Sequence, residues 1–345
     1  MRERVAVAAS TVNPGYFALV MGTGIVSVGM DNHGQVALSL ALLWIAVVGY
    51  AVLVGLNVWR IVAFRSQLAS DFSDPRRAFG FFTFVAGTDV LGARLAIAGW
   101  RGVALALLIV GSVSWLVLGY VVPWTAVLGR SVRPVVAAAN GTWFIWVVAS
   151  QSIAVLAAAL EPQIQGGRRE LALLAVFSWS VGVFLYAAAG VFVAARLMLY
   201  PLEPADLTPP YWVAMGATAI TVLAGARIVQ MADAPMVAAT RGLVAGSSVV
   251  FWAFGSWLIP ALVAAGWWRH VAHRIPLRYE AAWWSIVFPL GMYGVAGHYI
   301  GRADNLPIVR TIGENETWFA LAVWAAVLVA MSHHLARTLL APRLR

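Results

Sequence analysis

Three ionisable residues stand inside otherwise apolar runs of this chain: Asp89, Arg94 and Arg227. A charge in hydrocarbon costs at least ~2.5–3.5 kcal/mol by insertion scales, so such residues face a protein interior or a water-filled path. Two kinds of chemistry fit. An interhelical salt bridge fixes packing, while a charge on a path coordinates an anion or carries a proton. Asp89 and Arg94 are five residues apart, about 140° round a helix, so a direct pair between them is awkward. The expected partner of Asp89 is an arginine from a neighbouring helix. Arg227 lies near a span end, where snorkelling to the interface is the simpler reading. Neutral donors join these charges: Thr23, Ser27, Thr88, Thr142, Ser150, Gln151, Ser152, Thr218, Thr221 and Ser285. Hydroxyls in membrane helices often bond their own backbone, yet their concentration on alternate spans points to a polar lining.

Most catalytic chemistry is excluded. The chain has no cysteine, which removes disulfides, thiolate metal sites and cysteine nucleophiles. All 23 basic residues are arginine, so no Schiff-base or P-loop lysine exists. GxSxG, HExxH and P-loop patterns are absent. An intramembrane aspartyl protease needs two deep acids, and Asp89 is the one acid placed deep in a span. His298 ends a span, His270 and His273 lie on the cytoplasmic side, and His333 and His334 lie near the cytoplasmic end of the last span. No catalytic residue, metal site or cofactor is expected, and an intramembrane enzyme or sensor stays as the alternative of a different class.

The elements that carry these residues are membrane spans. The 345 residues are 62% hydrophobic and 11% charged, against about 25% charged in soluble proteins. Apolar runs of about 20 residues, enough to cross a bilayer, recur along the chain. Ten spans are read: 16–30, 37–63, 79–98, 103–122, 142–160, 171–197, 211–230, 242–267, 281–300 and 317–340. They make one transmembrane domain over 1–345, with no soluble domain and no cleavable signal peptide. The joins 31–36 and 99–102 admit only antiparallel neighbours, so the spans pair as five hairpins. The polar stretch 65–77 is the longest between spans.

A frame repeats on the odd spans. Trp283 and Trp284 are followed five residues later by Phe288 and Pro289, an apolar residue and a helix-weakening one. Tyr16 and Phe17 lead in the same way to Met21 and Gly22, Phe81 and Phe82 to Ala86 and Gly87, and Trp143 and Phe144 to Val148 and Ala149. Tyr211 and Trp212 precede Met215 and Gly216 in a copy one residue tighter. Self-similarity of this kind outranks local motifs when architecture is read. It predicts five equivalent inner helices, broken in mid-helix, around one axis. Phe17, Met21, Gly22, Phe82, Gly87, Phe144, Val148, Met215 and Gly216 are the candidates to line a pore along it. The even spans are Leu, Val and Ala on most faces and read as outer helices.

Charge orients the chain. Taking the N-terminal side first, 15 arginines lie there (Arg2, Arg4, Arg60, Arg65, Arg76, Arg77, Arg130, Arg133, Arg196, Arg269, Arg274, Arg278, Arg337, Arg343, Arg345). Six lie opposite: Arg101, Arg168, Arg169, Arg241, Arg302 and Arg310. The positive-inside rule puts the first side, and both termini, in the cytoplasm. Asn13, Asp74, Asn140 and Thr208 stand before Pro or Gly at the starts of odd spans, as capping residues do. Five helix N-termini, each with about half a positive charge, then converge on the cytoplasmic mouth and attract anions.

The segment from Asn13 to Ile25 resembles the opening signature of the tellurite-resistance/dicarboxylate transporter family. That family includes TehA-like bacterial proteins, fungal malate permeases, sulfite efflux pumps and the slow-type anion channels of plants. The segment from Asn140 to Val148, with Gln151 and Ser152, resembles its fifth-helix signature, and Trp284 to Leu290 its ninth. The likeness spans about residues 12–335. It implies ten helices in five hairpins, a central pore, a homotrimer with one pore per subunit, and a phenylalanine on the ninth helix that plugs the pore. Phe288 matches that position. Pro289 lacks an N–H, which leaves the Ser285 carbonyl without its helical partner and favours a kink that turns Phe288 inward. The expectation is an anion channel or transporter of the bacterial inner membrane for C4-dicarboxylate, sulfite, chloride, nitrate or tellurite. A proton-coupled C4-dicarboxylate carrier is the alternative. Its partners are small anions and the lipid bilayer, with no nucleic acid.

Overall fold

The computed structural model describes residues 2–129, 133–232 and 234–340, and side chains within that range except residues 2–5, 339 and 340. Arg130, Arg343 and Arg345 of the charge count lie outside the described residues, as do the side chains of Arg2 and Arg4. The fold is helical throughout, with no strand among the described residues. In chain order the helices are α1 (Arg2–Ser10), α2 (Ala18–Asn32), α3 (Val36–Ala63), α4 (Arg65–Ser73), α5 (Phe82–Ile97) and α6 (Arg101–Val122). They continue as α7 (Phe144–Leu160), α8 (Arg168–Leu199), α9 (Val213–Ile228), α10 (Pro235–Trp267), α11 (Trp284–Ala303) and α12 (Pro307–Leu335).

Two layers result. Helices α2, α5, α7, α9 and α11 each pack on the next, and α11 packs back on α2, which closes a ring. Each also packs on the helix that follows it in the chain, namely α3, α6, α8, α10 and α12. Burial separates the layers. The apolar windows of α5, α7 and α9 are 83–94% buried, whereas those of the outer helices are 6–44% buried. Outer helices keep Leu, Val, Phe and Trp exposed, as a lipid-facing surface requires. Eight helices among the described residues are long and apolar enough to cross a membrane; α2 and α11 are not among them.

The repeated frame marks a helix start. In all five copies a 3₁₀ turn ends at the aromatic pair and hands over to an α-helix: Pro14–Phe17, Ala78–Phe81, Gly141–Trp143, Pro209–Trp212 and Ala281–Trp283. The expected mid-helix break is absent. The α-helices run on through Gly22, Gly87, Ala149, Gly216 and Pro289. Burial among neighbours holds them, so glycine's weakness as a helix former is overridden and its small size is used instead. A Cβ on Gly216 would stand 2.8 Å from Pro289 Cγ of α11, and one on Gly22 3.0 Å from Val287 Cγ1. On Gly87 it would stand 3.3 Å from the Phe17 carbonyl oxygen.

Two polar stretches are helical. The segment 65–77 contains α4, and α12 begins at Pro307, ten residues before its expected start. Arg310 and Glu314, four apart and 2.7 Å from each other, support that polar first turn.

Five staggered bonds tie the layers together. Tyr50 of α3 bonds Thr88 of α5 (3.0 Å), and Trp115 of α6 donates to Ser150 of α7 (2.8 Å). Trp179 of α8 donates to the Thr221 carbonyl of α9 (3.1 Å), and Ser256 of α10 bonds Tyr293 of α11 (2.7 Å). Trp324 of α12 donates to Thr23 of α2 (3.0 Å). Every outer helix is thus joined to the inner helix of the following hairpin, and the last joins the first.

Candidate functional site: a vestibule at five helix starts

The five 3₁₀ turns touch one another in the same cyclic order as the helices they start. Glycine permits the approach: a Cβ on Gly141 would overlap the Pro210 carbonyl group and the Tyr211 N, and one on Gly80 would stand 3.0 Å from the Gly15 N. Tyr279 helps to close the circle. Its hydroxyl bonds that of Tyr16 (2.9 Å) and accepts from the Trp284 indole (3.1 Å). Burial pushes the Tyr279 phenol above its ordinary range, so it stays neutral.

At the centre of these turns lies a vestibule of 390 Å³, lined by residues from all five starts. Asn13 and Gly15 come from the first, Arg76, Arg77 and Gly80 from the second, and Asn140 and Thr142 from the third. Thr208 and Pro210 come from the fourth, and Glu280 and Ser285 from the fifth. Two of the four expected caps form: Asn13 Oδ1 accepts from the Gly15 N and Asn140 Oδ1 from the Thr142 N, both at 2.8 Å. Asp74 accepts from the Arg76 N instead, ahead of its turn, and Thr208 makes no side-chain cap. Unpaired N–H groups at helix starts present partial positive charge.

Three arginines line the vestibule beside two acids, Asp206 and Glu280. Arg77 pairs with Asp71 at 2.9 Å and Arg196 with Asp206 at 3.2 Å. Arg76 is exposed at the rim. Asp71 also binds the buried Arg60, which donates to the Val12 carbonyl at 3.0 Å and so anchors α3 and α4 under the first turn. Thr142 Oγ1 is a buried hydroxyl oxygen with no partner, in a residue that lines the vestibule. Partial positive charge, guanidinium groups and a free hydroxyl suit a small anion chemically; among the described residues no cluster of His, Asp and Glu fits a metal.

Phe288 lies five residues into α11 and is 1% exposed. Its neighbours fix the helix's orientation. Val287 packs on Gly22 of α2 and Pro289 on Gly216 of α9, on opposite flanks. Gly297 packs on Gly313 of the outer helix α12. Among the other pore candidates, the Phe17 ring meets Tyr50 and Phe84 edge-on, Phe82 stacks on Trp146, and Phe144 packs on Tyr186 of α8. Met21, Val148 and Met215 are buried in the inner ring.

The buried charges differ from expectation. Arg94 is 2% exposed and donates from Nε to Ser27 (2.9 Å) and from Nη2 to Ser39 (2.8 Å) and Asp31 (3.3 Å). It clamps α2, α3 and α5. Asp89 has no arginine partner: Ser152 donates to its Oδ2 at 3.0 Å, its Oδ1 is unpaired, and the carboxyl fills the space over Gly111 of α6. Arg227 donates to the Tyr299 hydroxyl at 2.9 Å and stacks over that ring at 4.4 Å. The hydroxyls expected to line the path mostly face outward: Thr23, Thr88 and Ser150 hold outer helices, and Ser27 holds Arg94. Arg76, Arg196, Glu280 and Asp31 were not expected as site residues, although the charge count includes the two arginines. The first three sit within sixteen residues before a frame pair, which is the signal that marks the vestibule.

Residues 11–332 match the family described as SLAC1, voltage-dependent anion channel. The chain belongs to the SLAC1 family. An uncharacterized membrane protein of Mycobacterium tuberculosis is 71% identical over 157 residues, which cover 46% of this chain and 80% of that protein. An uncharacterized transporter of Methanocaldococcus jannaschii is 26% identical over 326 residues, 92% of this chain and 91% of its own. A second from the same organism is 24% identical over 321 residues, covering 91% and 92%. SLAC1-family membership makes the chain a multi-pass membrane protein of an anion channel and transporter family, and that family is not an enzymatic one.

Proposed function

We propose that the chain conducts small anions along the axis of the inner ring, entering from the vestibule and stopped by the Phe288 ring. The observation that carries this reading is the convergence of five helix starts and three arginines on one vestibule. Helices turn about 100° per residue, so Phe288 points about 180° away from Gly297, whose face meets the outer helix α12. Met21 likewise stands about 160° round α2 from Thr23, which bonds α12. Both side chains are then directed inward. A ring in a narrow apolar passage excludes water, and an anion there loses hydration without gaining ligands.

In this reading α2 and α11 are spans as well, making ten in a quasi-fivefold array. Their mild hydropathy suits helices that touch protein on every side. The vestibule is the cytoplasmic mouth, because Arg76, Arg77, Arg196 and Arg269 gather at that end, and both termini lie on the same side of a bacterial inner membrane. The assembly is a homotrimer with one pore per chain. The substrate is a small anion of the C4-dicarboxylate, sulfite, chloride, nitrate or tellurite class. A proton-coupled carrier needs a titrating group on the path, and Asp89 faces α6 and α7 instead.

Reconstitution in liposomes tests this. Anion flux that persists with no proton gradient supports the channel. Flux that vanishes without that gradient makes the protein a carrier, and absence of flux for every anion of the class removes both.

A further inference from the structure

A second cavity, of 750 Å³, opens on the outer surface between α6 and α8. We infer that this groove binds one acyl chain of an anionic phospholipid, with Arg133 at the headgroup end. Its walls are Trp115 and Tyr120 of α6, Trp124 of the wide turn Pro123–Leu128 that follows, and Phe177 of α8. Its floor includes Trp146, which belongs to the inner helix α7. The volume lies in the range that encloses a drug-sized ligand.

The lining selects an apolar occupant. The Trp115 indole N–H is taken by Ser150, and the Thr125 hydroxyl by the carbonyls of Phe72 and Val121. Tyr120, Trp124 and Leu128 are 78%, 69% and 60% exposed, too much apolar surface for water but suited to acyl chains. One end of the groove is charged. Arg133, an exposed residue, donates from Nη2 to the Leu128 carbonyl at 3.1 Å, which ties a guanidinium to the groove's rim. A planar guanidinium beside an apolar slot matches a phosphodiester joined to a chain. Basic pockets between membrane helices bind anionic headgroups in this way. The floor gives such a lipid contact with the inner ring, since Trp146 stacks on Phe82 of α5 with centroids 5.6 Å apart. The inference requires that α6 and α8 span the membrane and does not depend on the Phe288 gate.

Native mass spectrometry on the purified full chain tests it, with palmitoyl-oleoyl phosphatidylglycerol and phosphatidylcholine as probes. One saturable phosphatidylglycerol per chain is expected, held about fivefold more tightly than phosphatidylcholine, one arginine's share of attraction to an anionic surface. Gly119 borders the groove, and a Cβ there meets only Trp146 Nε1, at 3.8 Å. Gly119→Phe therefore fills the slot and should weaken saturable binding about tenfold or more, as displacement of two or more methylenes would. Arg133→Gln should keep the lipid and abolish the preference between headgroups. Wild-type lipid binding by folded Gly119→Phe overturns the site. So does a loss of oligomer in that variant with lipid binding unchanged, which would assign the groove to a second copy of the chain. Equal affinity of the wild type for both lipids overturns the role of Arg133, and this arm stands even if Gly119→Phe fails to fold.

Discussion

Phe288 and Arg94 are both almost wholly buried, 1% and 2% exposed, and their variants should behave in opposite ways. Phe288→Ala should raise anion conductance several-fold and Phe288→Leu less, as removal of a hydrophobic gate does, with anion-over-cation preference kept in both. Single-channel recording on folded, purified protein decides this. Conductance at or below wild type would sink the gate and mark Phe288 as core, where truncation costs ~3–5 kcal/mol. Arg94→Ala instead should cost stability, ~2–3 kcal/mol, because the buried Ser27 and Ser39 and the part-exposed Asp31 lose their shared donor. Asp89→Asn should cost less than ~1 kcal/mol, since it orphans no cation and its oxygen still accepts from Ser152. Thermal melts in detergent compare the two. Equal damage would mean that Asp89 has a cationic partner. The sequence marked Arg94 and Asp89 as buried but could not pair them. Asp31 is 63 positions away and sits at a helix end that reads as an ordinary loop, and helical spacing carries no information about contacts between helices.

The element scale was legible where one pattern recurred. Five aromatic pairs gave the inner helices, their order and nearly their first residues, because each start must pass from a 3₁₀ turn to an α-helix in the same surroundings. Helix runs on through the glycines that read as breaks, since burial holds a segment that would be weak in isolation. Their use is close approach, and that gives a test. Gly141→Ala puts a methyl into the Pro210 backbone, which cannot move aside as a side chain would. It should cost ~1–3 kcal/mol or more and lower the yield of folded protein. Gly102→Ala, where nothing stands within 4 Å, should be neutral in the same assay. Facing directions of the hydroxyls were not legible, because each inner helix touches protein on all sides and shows little periodicity.

The whole molecule concentrates positive potential at one end of the inner ring. Arg76 stands at the vestibule rim, so Arg76→Gln should lower anion conductance at low ionic strength. The difference from wild type should shrink near 1 M salt, where the Debye length is about 3 Å. A deficit unchanged by salt would show that Arg76 acts through structure. The buried pair Arg60–Asp71 and the half-buried pair Arg196–Asp206 lie at the same end and should make its loops resist local opening, which hydrogen exchange can measure.

The staggered bonds from each outer helix to the next inner helix have a mechanical consequence. They act as a hoop without a seam, since Trp324 joins the last hairpin to the first as firmly as any other pair is joined. Each such bond is worth only about 0.6 kcal/mol in membrane proteins, but spreading the inner ring would strain all five together. Swinging one aromatic ring strains none of them. A pore opened that way keeps its cross-section in the bilayer plane, so membrane stretch does no work on it. Its open probability should stay flat as suction is applied to a patch, and a steep rise with tension would mean that the hoop itself expands.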